Sequence, residues 1–277
     1  LDYELDASPD FRLLAGRKDK KTITVWETRT GKVVSTLATG PVGGYTLTWD
    51  ARAVATLHEN RLRVWDLATG KEVLSRIVPP GTYERTFAVL PDGQRALTRQ
   101  GDGTVLLWDI ARPPTRIEAT PKELAAWWAD LASPDAARVW GAAWKLADAR
   151  AVATLRQLRP AVAPDPAAMR KRILRLNADT LAERDAAERE LSALGEPALP
   201  FLRPALEKFV NEEQAERLIR LIAGARTWPQ QLRRVRAVAV LERIGTAEAI
   251  EVLREVAGGA DAPETAEAAV ALRRLGR

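Results

Sequence analysis

The sequence contains no cysteine among its 277 residues and a single histidine, His58. That excludes disulfides, thiolate metal sites, cysteine nucleophiles and every site built from several histidines. Long apolar runs are missing as well. Nothing approaches the ~18 consecutive apolar residues a membrane helix needs, and the opening LDYELDASPD has neither the basic nor the apolar region of a signal peptide. There is no Walker-type phosphate loop, no dinucleotide fingerprint and no nucleophile-elbow serine. His58 precedes Glu59 and Asn60 in a predicted turn, with neither a nucleophile nor an orienting acid, and is read as an exposed turn residue. Carboxylates such as Glu183, Asp185, Glu188 and Glu190 interleave with Arg184 and Arg189 as helix-surface charges do. Catalytic, metal-ligating and cofactor-binding residues are therefore assigned to none of the positions; the chain is not read as an enzyme and no cofactor is expected.

What is present is ample for packed structure. With 46% hydrophobic and 29% charged residues, the composition excludes wholesale disorder and supports one large or two medium domains. The net charge of +5 is spread evenly, with 16 basic and 14 acidic residues before residue 113 and 26 and 23 after it. Such mixing argues against a nucleic-acid partner, which leaves a clustered basic footprint.

Two periodicities divide the chain. Residues 1 to 112 carry alternating stretches such as Thr22-Ile23-Thr24-Val25-Trp26 and Arg61-Leu62-Arg63-Val64-Trp65, the signature of strands. Pro113-Pro114 disfavours both helix and ladder, so residues 113 to 121 are read as a linker. From 122 to 277 the apolar residues recur every three to four positions, as in Ala187, Leu191, Leu194 and Ala198, Leu202, Ala205, Phe209. That spacing predicts amphipathic helices.

The first region repeats. Ile23-Thr-Val-Trp26-Glu-Thr-Arg-Thr-Gly31-Lys, Leu62-Arg-Val-Trp65-Asp-Leu-Ala-Thr-Gly70-Lys and Val105-Leu-Leu-Trp108-Asp-Ile-Ala-Arg superimpose, their tryptophans 39 and 43 residues apart. Upstream of each lies a second shared segment: Ser8-Pro-Asp10, Thr48-Trp-Asp50 and Leu90-Pro-Asp92-Gly, each followed by a strand. Over residues 1 to 112 this pattern resembles the WD-repeat family of β-propellers, with Trp65-Asp66 and Trp108-Asp109 matching its signature dipeptide and Trp26-Glu27 departing from it. The family's Gly-His dipeptide is absent, so its internal hydrogen-bond network is not carried over. The resemblance implies a partial propeller of about three blades. Three blades form an open arc, whereas propellers of about four to eight blades close. The expectation is therefore that about four further blades, roughly 160 to 180 residues, precede Leu1, and that the chain is a monomer only if they do.

The second region repeats more loosely. Leu191-Ser-Ala-Leu-Gly195, Leu241-Glu-Arg-Ile-Gly245 and Leu272-Arg-Arg-Leu-Gly276 each end a helix in glycine, at spacings that bracket the helix-pair period of HEAT-like solenoids. The fold class is all-β plus all-α: a partial propeller followed by a HEAT-like helical array of about nine helices, an order that resembles large bacterial WD-repeat proteins.

Candidate interaction residues come from two clusters. Arg170, Lys171, Arg172 and Arg175 share a predicted helix over 166–177 whose Ile173, Leu174 and Leu176 are expected to face the core. Trp127, Trp128, Trp140 and Trp144 lie within eighteen residues; adjacent Trp127 and Trp128 point in different directions on a helix and are read as docking anchors, a peptide-binding hot spot being the alternative. The functional expectation is a non-catalytic protein-protein interaction scaffold with protein partners, identity open. Two alternatives stay open: the regulatory or sensory tail of a larger enzyme such as a protein kinase, and a nucleic-acid-binding helical domain using Arg170, Lys171, Arg172 and Arg175. A soluble chain is expected, with cytoplasm and cell envelope both compatible.

Overall fold

The computed structural model describes residues 5–19, 21–111, 116–225 and 227–277. The chain divides into two compact units: residues 1–116 together with 135–144, and residues 117–134 together with 145–277. The Pro113–Pro114 pair of the expected linker lies outside the described residues.

Three antiparallel sheets make up the strand-bearing part of the first unit. The first is a meander of β1 (Leu5–Ala7), β2 (Leu13–Asp19), β3 (Thr22–Glu27) and β4 (Val33–Ala38). The second repeats it with β5 (Gly44–Leu47), β6 (Ala53–His58), β7 (Arg61–Asp66) and β8 (Glu72–Ile77). The third has β9 (Thr82–Val89), β10 (Arg95–Gln100) and β11 (Val105–Asp109) among the described residues.

The same turn joins the first two strands of every sheet, and its cause is an aspartate. Asp10, Asp50 and Asp92 each accept at Oδ1 from the backbone N–H two residues on, at 3.0, 3.0 and 2.9 Å. The residue between takes a positive φ: Phe11 at 56°, Ala51 at 55° and Gly93 at 65°. In the first two copies a hydroxyl completes the turn, Ser8 Oγ accepting from Leu13 N at 2.9 Å and Thr48 Oγ1 from Ala53 N at 3.0 Å. Leu90 supplies none in the third. A second turn follows β3 and β7. There Gly31 and Gly70 donate to the Glu27 and Asp66 carbonyls at 2.8 Å, and the side chains of those acids hold Thr30 and Thr69. This is an Asx-type use of short acceptor side chains to fix chain reversal locally.

Neighbouring sheets meet at their first strands. Asp6 in β1 accepts from Leu47 N at 2.6 Å and Thr46 Oγ1 at 3.0 Å in β5. Gly44 lies so close to β9 that a Cβ would collide with the Glu84 carbonyl oxygen, and one at Gly43 with the Glu84 side chain. The adjacent glycines are thus required by backbone approach. Strand β6 is buried from Ala53 through Leu57, and with Leu62, Val64, Val89 and Ala96 it forms the core between the second and third sheets. The outer face of the third sheet is open: Val105 and Leu107 are more than half exposed.

The helical segments are α1 (Pro121–Asp130), α2 (Ala136–Asp148), the single turn α3 (Val152–Leu155), α4 (Pro166–Arg175), α5 (Leu181–Leu194), α6 (Leu199–Leu206), α7 (Glu212–Gly224), α8 (Pro229–Ile244), α9 (Ala247–Ala257) and α10 (Pro263–Arg274). Side-chain caps start many of them: Thr120 with Glu123 in a reciprocal capping box, Asp165, Thr180, Asn211 and Thr246. Helices α4 to α7 enclose a core of Met169, Leu176, Leu191, Leu202, Leu218 and Leu221. Helix α8 is buried along Gln231–Leu232 and Val235–Leu241 and contacts α9 and α10, which also pack on each other.

Two local expectations are corrected. Leu174 is 70% exposed, not in the core. Met169, Ile173 and Leu176 share one face at a spacing of four and three, and 100° per residue carries Leu174 toward Arg170 instead. Phe209 is half exposed because α6, with Pro204 inside it, stops at Leu206 and leaves Phe209 beyond the helix. Gly245 caps α8 in the left-handed conformation, whereas Gly195 ends α5 at φ 69°, ψ −144°.

Candidate functional site

The basic cluster of α4 is split by its neighbour. Arg172 Nε and Arg175 Nη1 both reach Glu190 of α5, at 3.2 and 2.9 Å. The Arg175 hydrogen bond, and then the Arg175 and Arg172 charges, hold the Glu190 carboxyl below its usual range. Arg170 and Lys171 lie on the exposed side of the helix. Two of the four charges are therefore spent inside the molecule, leaving a two-charge patch.

The four clustered tryptophans separate into two pairs. Trp140 and Trp144 are buried, stack edge to face with centroids 6.3 Å apart, and belong to the strand-bearing unit, where Arg52 lies 4.6 Å from the Trp144 ring centre. Trp127 and Trp128 belong to the helical unit and are half-buried. Each carries a cation over its ring: Lys145 at 5.7 Å from Trp127 and Arg233 at 5.6 Å from Trp128. The divergence expected of adjacent helical residues is present, and Trp128 lines a cleft.

That cleft, of about 460 Å³, is framed by three parts of the helical unit. Gln230, Arg233 and Arg234 come from the first turns of α8, where the spacing of three and four puts them on one face. The irregular segment after α3 supplies Arg159 and an apolar wall of Pro160, Val162 and Pro164. Ala161 fixes this wall, its carbonyl accepting from Ala260 N at 2.7 Å, and Gly259 permits the approach because a Cβ there would stand 2.7 Å from Ala161 N. Trp128 also lines the cleft, as does the buried Glu264 from the first turn of α10, 1% exposed.

Charge in the cleft is unbalanced. Glu264 is already engaged, accepting from Gln231 Nε2 at 2.9 Å and standing 3.5 Å from Arg234 Nη1. Arg233 has no carboxylate partner among the described residues, and its Nε is buried without a hydrogen bond. Burial, and then the adjacent Arg234 charge, push the Arg233 guanidinium below the ordinary arginine range. Arg159 is exposed at the rim. Helix α8 begins with no side-chain cap and no acid in its first turn, so its positive end adds to the same field.

Two buried arginines of neighbouring helices are satisfied within the helical unit. Arg217 of α7, nearly buried, binds Asp185 at 2.9 Å, Glu213 at 3.1 Å and Glu188. Burial opposes its charge, and the Asp185, Glu213 and Glu188 carboxylates outweigh burial to hold it above the ordinary arginine value. Arg236 of α8, also buried, donates from Nη1 to the Leu131 and Ser133 carbonyls at 2.8 and 2.9 Å.

In the strand-bearing unit, His58 ends β6 half-buried rather than sitting in the turn. Its Nδ1 is 3.1 Å from Glu84 Oε2 of β9, while Glu59 N donates to Glu84 Oε1 at 2.6 Å. Trp65 and Trp108 each donate an indole N–H to a threonine on the preceding strand, Thr56 at 3.0 Å and Thr98 at 2.8 Å. In the first sheet the position matching Thr56 is Gly16, over which the Trp26 ring lies. Sequence reading missed these threonines, although Thr stands nine or ten residues before Trp in two of the three copies.

Among the described residues no group of three or more His, Asp or Glu side chains is placed to hold a metal ion. No helix among them is long and apolar enough to cross a membrane. Comparison of the chain with protein-family models and with curated proteins finds no match.

Proposed function

We propose that the protein is a non-catalytic protein-interaction scaffold, its sheets acting as WD-repeat-type blades of a β-propeller and its helices as a HEAT-like array. The observation that carries this reading is the repeated aspartate turn, made with the same hydrogen bonds in all three sheets at the spacing of the sequence repeat. A unit reproduced with its turn chemistry intact builds a rigid surface whose loops vary at low cost to the core, which suits recognition of other proteins. Abutting first strands, β1 against β5 and β5 against β9, support the radial placement of blades. The neutralisation of Arg172 and Arg175 by Glu190 favours a protein partner over nucleic acid, because it offsets half of the charge of the densest basic cluster.

The test is recovery of the tagged protein from its native cells, followed by reconstitution. A partner protein in near-equal amount, re-forming the complex when the two purified proteins are mixed at micromolar concentration, is the expected result. A protein that is recovered alone, and that stays alone on size-exclusion chromatography with every abundant protein of the same cells, overturns the reading.

A further inference from the structure

We propose that the cleft beside Trp128 binds an extended acidic segment of a partner protein, two of its Asp or Glu carboxylates pairing with Arg233 and Arg159 while intervening apolar side chains lie on the Pro160–Val162–Pro164 wall. This rests on the scaffold reading and adds the chemistry of one partner contact.

Charge complementarity sets the ligand class. Of the three arginines in the cleft, Arg234 faces Glu264, whereas neither Arg159 nor Arg233 has a carboxylate beside it among the described residues. Two cations remain open to a ligand. Arg233 is only partly buried, so its terminal N–H groups can meet an incoming carboxylate in a charge-assisted pair. Arg233 lies over the Trp128 ring, a contact that restrains the side chain and lowers the entropy lost on pairing.

Shape sets the length. The wall is a non-helical run between α3 and α4 that contains Pro160, Pro164 and the 85%-exposed Val162, so it offers few backbone donors and a continuous apolar strip. Arg159 and Arg233 line the cleft from different segments, the run after α3 and the start of α8, so a peptide carrying spaced carboxylates can pair at two points. Apolar contact along the strip, flanked by paired charges, is the composition of a small peptide-recognition site.

The probe is a fluorescein-labelled peptide of alternating Leu and Glu, five residues, acetylated and amidated so that its only charges are side chains. Anisotropy is titrated with the full chain at low salt. Three comparisons decide the matter: a peptide with Gln in place of Glu, one with phosphoserine in place of Glu, and the variants Arg233→Leu and Trp128→Ala. Expected results are at least tenfold weaker binding of the Gln peptide, at least tenfold loss for Arg233→Leu, and a several-fold loss for Trp128→Ala. Thermal melting of Arg233→Leu is expected at or above the parent temperature, because the substitution removes an unpaired buried polar atom. Equal binding of Glu and Gln peptides, undiminished binding by Arg233→Leu, or phosphoserine peptide binding tenfold tighter than the Glu peptide overturns the proposal. If Arg233→Leu leaves a reconstituted partner complex intact and the peptide does not bind, only the cleft assignment fails. If the peptide binds through Arg233 but no partner complex reconstitutes, the scaffold reading fails and the acidic-ligand site stands.

Discussion

The two units store their structural instructions at different sequence distances. In the strand-bearing unit the contacts that make the turns are local: Asp10, Asp50 and Asp92 act on backbone two residues away, and Glu27 and Asp66 on threonines three residues away. In the helical unit the polar contacts that join segments are remote. Arg217 joins residues 29 and 32 positions upstream, Gln231 meets Glu264 33 positions on, and Arg236 holds carbonyls more than 100 positions earlier. A strand meander reverses every few residues and needs each turn specified where it occurs. Helices specify themselves by pattern, and only their mutual placement calls for distant polar pairs.

This contrast breaks most visibly at Arg236. Arg236→Met removes a buried cation from two carbonyls and is expected to destabilise the helical unit by about 3 kcal/mol. Urea unfolding followed by circular dichroism at 222 nm checks it, and a loss under about 1 kcal/mol would show that the remote pair does not place α8. Gly44→Ala comes next. Its methyl collides with the Glu84 carbonyl, so the strand-bearing unit should lose about 2 kcal/mol by overpacking, seen as an earlier tryptophan-fluorescence transition while the 222 nm melt is little changed. Loss in both signals together would mean the two units unfold as one.

Smaller effects sharpen the comparison within the sheets. Thr56→Val strands the buried Trp65 indole N–H and is expected to cost about 1–2 kcal/mol; Thr98→Val should cost less, because Trp108 is only partly buried. The smallest change carries the opposite sign. Phe11, three-quarters exposed, holds the positive φ that Gly93 holds in the third sheet, so Phe11→Gly is expected to raise stability by about 0.5 kcal/mol. A melting temperature that falls instead would show that the Phe11 ring contributes more than the strain it imposes.

How much was legible follows the same division. The strands, the two turn types and the tryptophan period were readable because each depends on residues within one hairpin. The threonine acceptors of Trp65 and Trp108 escaped, since their partnership exists only once β6 pairs with β7 and β10 with β11. In the helical region the helices were readable, and Trp127 and Trp128 were singled out for their divergence. Leu174 was misplaced because an apolar residue next to two core positions was counted with them, although helical geometry turns it outward. Neither the sharing of Glu190 by Arg172 and Arg175 nor the meeting of Trp128 with Arg233, over 100 residues apart, has a sequence signal; both are products of helix packing. What distinguishes Arg233 is that the one acid of its cleft, Glu264, pairs with Arg234 instead, and no local pattern describes that.

The aspartate turn has a consequence for ancestry. Its hydrogen bonds begin and end within six residues, so a gene segment cut anywhere outside that span carries a complete reversal with it. Duplication or exchange of a forty-residue cassette then delivers a chain that can already bend in the right place, before any neighbouring sheet has adapted to it. The variation seen at the turn, serine, threonine or leucine at its start and phenylalanine, alanine or glycine at its left-handed position, is what such copies accumulate when one carboxylate suffices to keep the bend.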